Sequence, residues 1–160
     1  MFSLTLICVG KLKEKFYLSA SEEYAKRLRG YADFSLIELP EVRLSDNPSQ
    51  AEIAQALAKE ADAIRAKIPK GSWLCVFAPE GKLLSSEDLA STLASVKQSG
   101  KSSACFLIGS SFGLDSTLKA SADLRLSMAK MTFPHQLARV MALEQLDRAE
   151  AIQSGSKYHN

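Results

Sequence analysis

The sequence lacks most of the features that announce a function at first sight. Its three cysteines, Cys8, Cys75 and Cys105, lie far apart inside apolar runs, with no C-x-x-C or Cys/His spacing. That pattern excludes a disulfide framework and a clustered thiolate metal site, and no metal is expected; the three read as small, reduced core residues. No apolar run reaches the length of a membrane span, so no membrane partner is expected. The first ten residues carry no cationic stretch ahead of their apolar ones and read as a strand rather than a leader, which points to the cytoplasm. Neither charge sign dominates: 20 Lys and Arg against 18 Asp and Glu give a net charge of +2. A whole-surface field for coating nucleic acid is thereby excluded, while a local patch is not. Neither G-x-G-x-x-G nor G-x-x-x-x-G-K-[ST] occurs, so neither the usual dinucleotide fold nor a P-loop is indicated.

What is present alternates strand with helix. At 160 residues the chain has the length of one domain, here residues 1–160 without a linker, repeat or low-complexity tract. Residues 2–9, 34–39, 72–78 and 104–109 read as strands, with a short fifth at 123–127. Between them, residues 14–29 place Tyr17, Ala20, Tyr24 and Leu28 on one helical face, and Ile53, Leu57, Ala61, Ile64 and Ile68 mark a second amphipathic helix. Ser85 with Asp88 three residues on opens a third helix, stopped by Gly100, and a short one follows Asp115. This order predicts an α/β fold, a parallel-rich sheet flanked by helices.

The last third concentrates the functional signals. A wholly apolar run, Cys105 to Ile108, delivers the turn Gly109-Ser110-Ser111-Phe112-Gly113, where glycine lets backbone pass close to a ligand or another chain. Loops at the carboxyl ends of parallel strands are where open α/β sheets bind ligands. Pro134 sets the start of a final helix over 134–152, whose Val140-Met141-Ala142-Leu143 run is apolar on every face. Such a helix is buried on more than one side, and a homodimer packed on it is the expectation. The first thirty residues are basic: Lys11, Lys13, Lys15, Lys26, Arg27 and Arg29 stand against Glu14, Glu22 and Glu23. Solvated helix faces and an RNA-facing patch both explain that cluster.

Other motifs carry less. Residues 109–113 fit G-x-S-x-G, the nucleophile elbow of α/β-hydrolases, and acids and histidines follow in triad order. Only one short strand follows, the chain is small for that fold, and no His-Gly segment precedes, so hydrolase ranks last. Glu80-Gly81-Lys82 reads as a plain turn after the third strand. His135, just inside a helix start, reads as a neighbour of the cap rather than a catalyst. Tyr158-His159 near the end suits stacking on a base and exchanging a proton with it.

The segment from Ser127 through Met128, Ala129, Lys130, Met131, Thr132, Phe133, Pro134 and His135 to Gln136, the turn at Ile108-Gly109, the helix with Arg139, Glu144 and Arg148, and the Tyr158-His159 pair together resemble the RlmH family. These are SPOUT-class methyltransferases that act on N3 of a pseudouridine in helix 69 of 23S ribosomal RNA, and the resemblance spans essentially the whole chain. It implies a homodimer with a C-terminal trefoil knot, which nothing in periodicity shows. It implies S-adenosyl-L-methionine as cofactor, held by Phe77, Gly109 and residues 128–133. It further implies His159 as the proton acceptor or orienter, Tyr158 against the base, and Arg139, Arg148 and Lys157 on phosphates. The chain departs from the family at two points: Ser110 stands where many relatives have a second glycine, and Asn160 where they usually end in Lys or Arg. A non-catalytic RNA- or ribosome-binding module is the alternative.

Overall fold

Five strands hydrogen-bond side by side, all parallel, in the order β2-β1-β4-β3-β5. The computed structural model describes residues 1–157. In chain order the elements are β1 (Ser3–Val9), α1 (Lys15–Leu28), β2 (Asp33–Leu39), α2 (Gln50–Arg65), β3 (Trp73–Leu83), α3 (Ser86–Gln98), β4 (Ser103–Ile108), α4 (Ser116–Ala120), β5 (Leu124–Ser127) and α5 (His135–Gln153). The α/β expectation holds, and every expected element is found.

Alternation of side chains along the central strands splits the core in two. Leu4, Leu6, Cys8, Ala104 and Phe106 point to one face, where α1, α3 and α5 pack on them. Ile7, Val9, Cys105 and Leu107 point to the other, under α2 and α4. All six residues of β4 are buried, as a central parallel strand covered on both faces must be. The cysteines are free and buried, and burial pushes the thiols of Cys8 and Cys105 up to about 12, so they act as apolar filling.

Two features differ from the sequence reading. β3 does not stop at Ala78; it swings out and resumes pairing, so that Phe77 and Lys82 both sit opposite Leu126 of β5. Gly81 makes the excursion possible, because a Cβ there would lie 2.7 Å from the backbone of Arg125. The residues read as a turn are therefore a bulge inside a strand. The second difference concerns α5. It lies between α1 and α3 over the sheet, and Ala142, Leu143, Leu146 and Ala149 are fully buried by their own chain. Only the side carrying Leu137, Val140 and Met141 stays half-open. The apolar run thus needs far less cover from a partner than its pattern implied.

Candidate functional site

Because every strand runs the same way, all the loops that follow strands emerge at one edge of the sheet. The bulge of β3 and the loops after β4 and β5 converge there on a hollow of about 550 Å³, within the range of small-molecule sites. Phe77, Gly109 and the whole of 128–133 line it, so the eight residues expected to hold a cofactor come from three separate segments to one place. Phe77, Ile108 and Leu126 give it an apolar floor, while Met131, 77% exposed, and Phe112, 46% exposed, stand at its rim. Glu80 is the lining carboxylate, and it is engaged with Lys119 Nζ at 2.8 Å. That hydrogen bond holds the Glu80 carboxyl below the usual range.

The turn after β4 is held by acids from elsewhere. Gly109 admits no side chain, since a Cβ would meet the carbonyl oxygen of Gly113 at 2.2 Å. Its close approach is to its own loop, and Gly113 N–H donates to Ser110 O to close the turn. Ser111 donates to Glu41 at 3.2 Å, and Glu60, a buried residue of α2, accepts from the Ser110 hydroxyl and from Val42 N–H at 2.8 Å. Burial pushes the Glu60 carboxyl up, the two donors oppose the shift, and the nearby Glu41 charge adds to it. The serine that replaces a second glycine thus has a buried partner. Sequence reasoning missed Glu60, although a signal was there: with Ala56 and Ile64 it falls on the inward stripe of α2, where a carboxylate is out of place.

The elbow reading fails on geometry. A nucleophile elbow strains its serine, but among the described residues no residue other than glycine has a positive φ, and Ser111 bonds to a carboxylate rather than to an imidazole. His135 lines the hollow, and a Cβ added at Gly10 would lie 3.9 Å from its Nε2.

The expected phosphate contacts are distributed differently from the sequence reading. Arg139 is 2% exposed. Its guanidinium pairs with Glu38 at the end of β2 and donates to Gly10 O at 2.9 Å, so it faces inward and does not reach a phosphate. Arg148 is half-buried and its Nε donates to Glu144, one turn earlier, at 2.9 Å. Lys157 is exposed. Tyr158 and His159, the two expected catalytic residues, lie outside the described residues. Among the described residues no group of three or more His, Cys, Asp or Glu could hold a metal, and no helix is long and apolar enough to cross a membrane.

A second hollow of about 480 Å³ shares Phe77, Leu126, Ser127 and Met128 with the first and opens along the half-exposed side of α5. Val140, Met141, Glu144 and Gln145 form that side. Ser86 Oγ meets Gln145 Oε1 at 2.6 Å across it, tying α3 to α5.

Comparison with known proteins adds three findings. A family model described as predicted SPOUT methyltransferase matches residues 2–159. Two relatives, each named ribosomal RNA large subunit methyltransferase H, are similar along their whole length. The one from Moorella thermoacetica is 45% identical over 99% of this chain and 99% of its own. The one from Streptococcus suis is 43% identical over 98% of each. Among solved structures, a probable methyltransferase from Bordetella pertussis aligns with a TM-score of 0.55 over 92% of this chain and 95% of its own, at 11% identity, which speaks to the fold.

Proposed function

This chain belongs to the SPOUT methyltransferase family, and from that premise we propose that it moves a methyl group from S-adenosyl-L-methionine to N3 of a pseudouridine in 23S ribosomal RNA. In this reading residues 1–160 form a single SPOUT-type domain with a C-terminal trefoil knot, active as a homodimer on the assembled ribosome in the cytoplasm. One observation carries it: the eight residues assigned to the cofactor from sequence line a single hollow at the carboxyl edge of the parallel sheet. The relatives' names supply the substrate class.

The hollow fits the group. Phe77, Ile108 and Leu126 offer an apolar bed for adenine, and the paired state of Glu80 agrees with a ligand whose sulfonium needs no acidic partner. When bound, S-adenosyl-L-methionine supplies an electrophilic methyl carbon. The backbone of Gly109 and of 128–133 would hold it, and Phe133 and Met131 would shield it from water. Methyl transfer is an in-line displacement, so the protein's main task is alignment of the acceptor nitrogen and removal of its proton. His159 would accept or orient that proton, and Tyr158 would hold the base. Lys157 stays in the phosphate-contacting set, Arg148 enters it only by leaving Glu144, and Arg139 drops out of it. A partner subunit laid along Val140 and Met141 would close the second hollow and stand over the first.

Calorimetric titration with the cofactor tests the first half, with an affinity on the order of micromolar expected. Absence of heat would leave an RNA-binding module. Labelled methyl transfer to ribosomes, isolated subunits and stripped RNA tests the second half. Transfer confined to assembled ribosomes is the expected outcome, and efficient transfer to stripped RNA would refute the substrate. Replacing Met141 by Glu should break the dimer in sedimentation and abolish transfer, because it sets a carboxylate in the apolar contact.

A further inference from the structure

Building on the methyltransferase reading, we propose that residues 11–17, the segment leading from β1 into α1, form the RNA-docking surface of this protein. Lys11, Lys13 and Lys15 would take backbone phosphates and Phe16 would offer its ring to an unpaired base. Three lysines against Glu14 give this short stretch a net charge of 3 − 1 = +2, as much as the whole chain carries. The segment is therefore locally basic in a chain of little net charge, which suits binding by counterion release. Arg139 faces inward and Arg148 is held by Glu144, so most of the phosphate contact must come from elsewhere.

The segment is built to present these groups. Leu12, 8% exposed, plugs into the protein, while Lys11 and Lys13 on either side of it are exposed. At its base Gly10 is fixed by Arg139, whose Nη2 donates to the Gly10 carbonyl at 2.9 Å. The arginine assigned to phosphate thus anchors the segment that meets it. Phe16 is 65% exposed, with its ring centroid 4.5 Å from that of Tyr17. An aromatic face left in water among lysines is the pairing that single-stranded nucleic acid binds, stacking on the ring while the backbone tracks the charge. A second copy of this chain would cover Phe16 but would leave the lysines facing an equally basic segment.

Location supports the assignment. β1 lies beside β4, so the segment leaves the sheet next to the turn that lines the cofactor hollow. His135, which lines that hollow, lies near the start of the segment: a Cβ added at Gly10 would be 3.9 Å from its Nε2. A nucleotide presented at the mouth of the hollow would have its neighbours on the side where this segment leaves the sheet.

The test uses the full-length protein with Lys11, Lys13 and Lys15 all changed to Gln, and separately Phe16→Leu. Cofactor affinity by calorimetry should not change in either. The triple variant should lose about tenfold or more in kcat/KM for ribosomes, through KM. Its dependence of log kcat/KM on log salt should be shallower by about two to three, one contact per lysine. Phe16→Leu should lose about tenfold with an unchanged salt slope. An unaltered KM and slope in the triple variant would overturn the proposal, as would altered sedimentation with unaltered KM, which would make the segment a subunit contact. Should the wild-type protein bind no cofactor and transfer no methyl group, the enzymatic reading fails by itself. Binding of the same variants to a single-stranded RNA oligonucleotide then still decides the docking surface.

Discussion

Helices α2 and α5 are the two longest in the molecule, and opposite means hold them in place. α2 is written locally. The Ser49 hydroxyl accepts from Glu52 N–H and the Glu52 carboxylate accepts from Ser49 N–H, both at 3.1 Å, which completes a capping box. Arg65 lies in its last turn, and a narrow stripe of Ala56, Ala61 and Ile64 is buried while the opposite face meets water. α5 has none of this: no acid in its first turn, no base in its last, and no side-chain cap at Pro134. It is held by α1 on one side, α3 on the other and the sheet beneath. The helix that borders both hollows is thus the one whose position depends on tertiary packing, and the helix that keeps its own signals lies on the far face of the sheet. Packing strength should therefore differ sharply between the two, and local capping should matter only for one.

The sharpest way to break that contrast is to remove volume. Leu146→Ala in α5 empties a fully buried site among β1, α1 and α3 side chains and should cost about 3 kcal/mol in chemical denaturation. Leu57→Ala on the half-buried flank of α2 should cost about 1 kcal/mol, because part of that side chain already meets solvent. Equal losses would mean that α5 is packed no more tightly than a surface helix. The tie from Lys97 to Glu150, at 2.8 Å, gives an intermediate effect. Lys97→Met leaves a carboxylate that is only 5% exposed without its partner and should cost about 2 kcal/mol, less than a fully buried pair because Lys97 itself reaches solvent.

Local signals come next in size. Ser49→Ala removes the hydroxyl that accepts from Glu52 N–H and should cost about 1 kcal/mol, read as a lowered melting temperature. No single change at the start of α5 mirrors it, since Pro134 contributes no side-chain hydrogen bond there. A loss of the same size from Pro134→Ala would show that α5 also depends on its first turn.

The same division explains what could be read in advance. The strands, the helices and their order were legible, because apolar runs and caps are local. The convergence of Phe77, Gly109 and 128–133 came only through family resemblance, since a strand and two loops meet by topology and not by spacing. The continuation of β3 past Pro79 was hidden, because it depends on β5 backbone passing Gly81. Arg139 and Arg148 look alike in sequence, yet the partner that turns Arg139 inward is Glu38, 101 residues away. Glu60 was the legible feature left unread, a carboxylate on an inward stripe.

Glu60 is also where the local order of α2 is broken, and it gives the smallest and finest test. Its carboxyl is shifted up, first by burial and further by the Glu41 charge, against the pull of Val42 N–H and the Ser110 hydroxyl. A raised value in the folded state means that the native protein holds the proton more tightly than the unfolded chain does. The resulting stabilisation is fully present below the ordinary value of 4.5 and is lost as pH rises through the raised one. Glu60→Gln keeps an oxygen that accepts from Val42 N–H and carries no charge to bury. Its melting temperature should therefore gain on that of the wild type as pH rises from about 4 to about 7. Cofactor affinity should hold, because an acceptor for Ser110 remains beside the turn. The opposite trend, with the wild type gaining on the variant toward neutral pH, would show that the two donors outweigh burial and that Glu60 grips the turn as an anion.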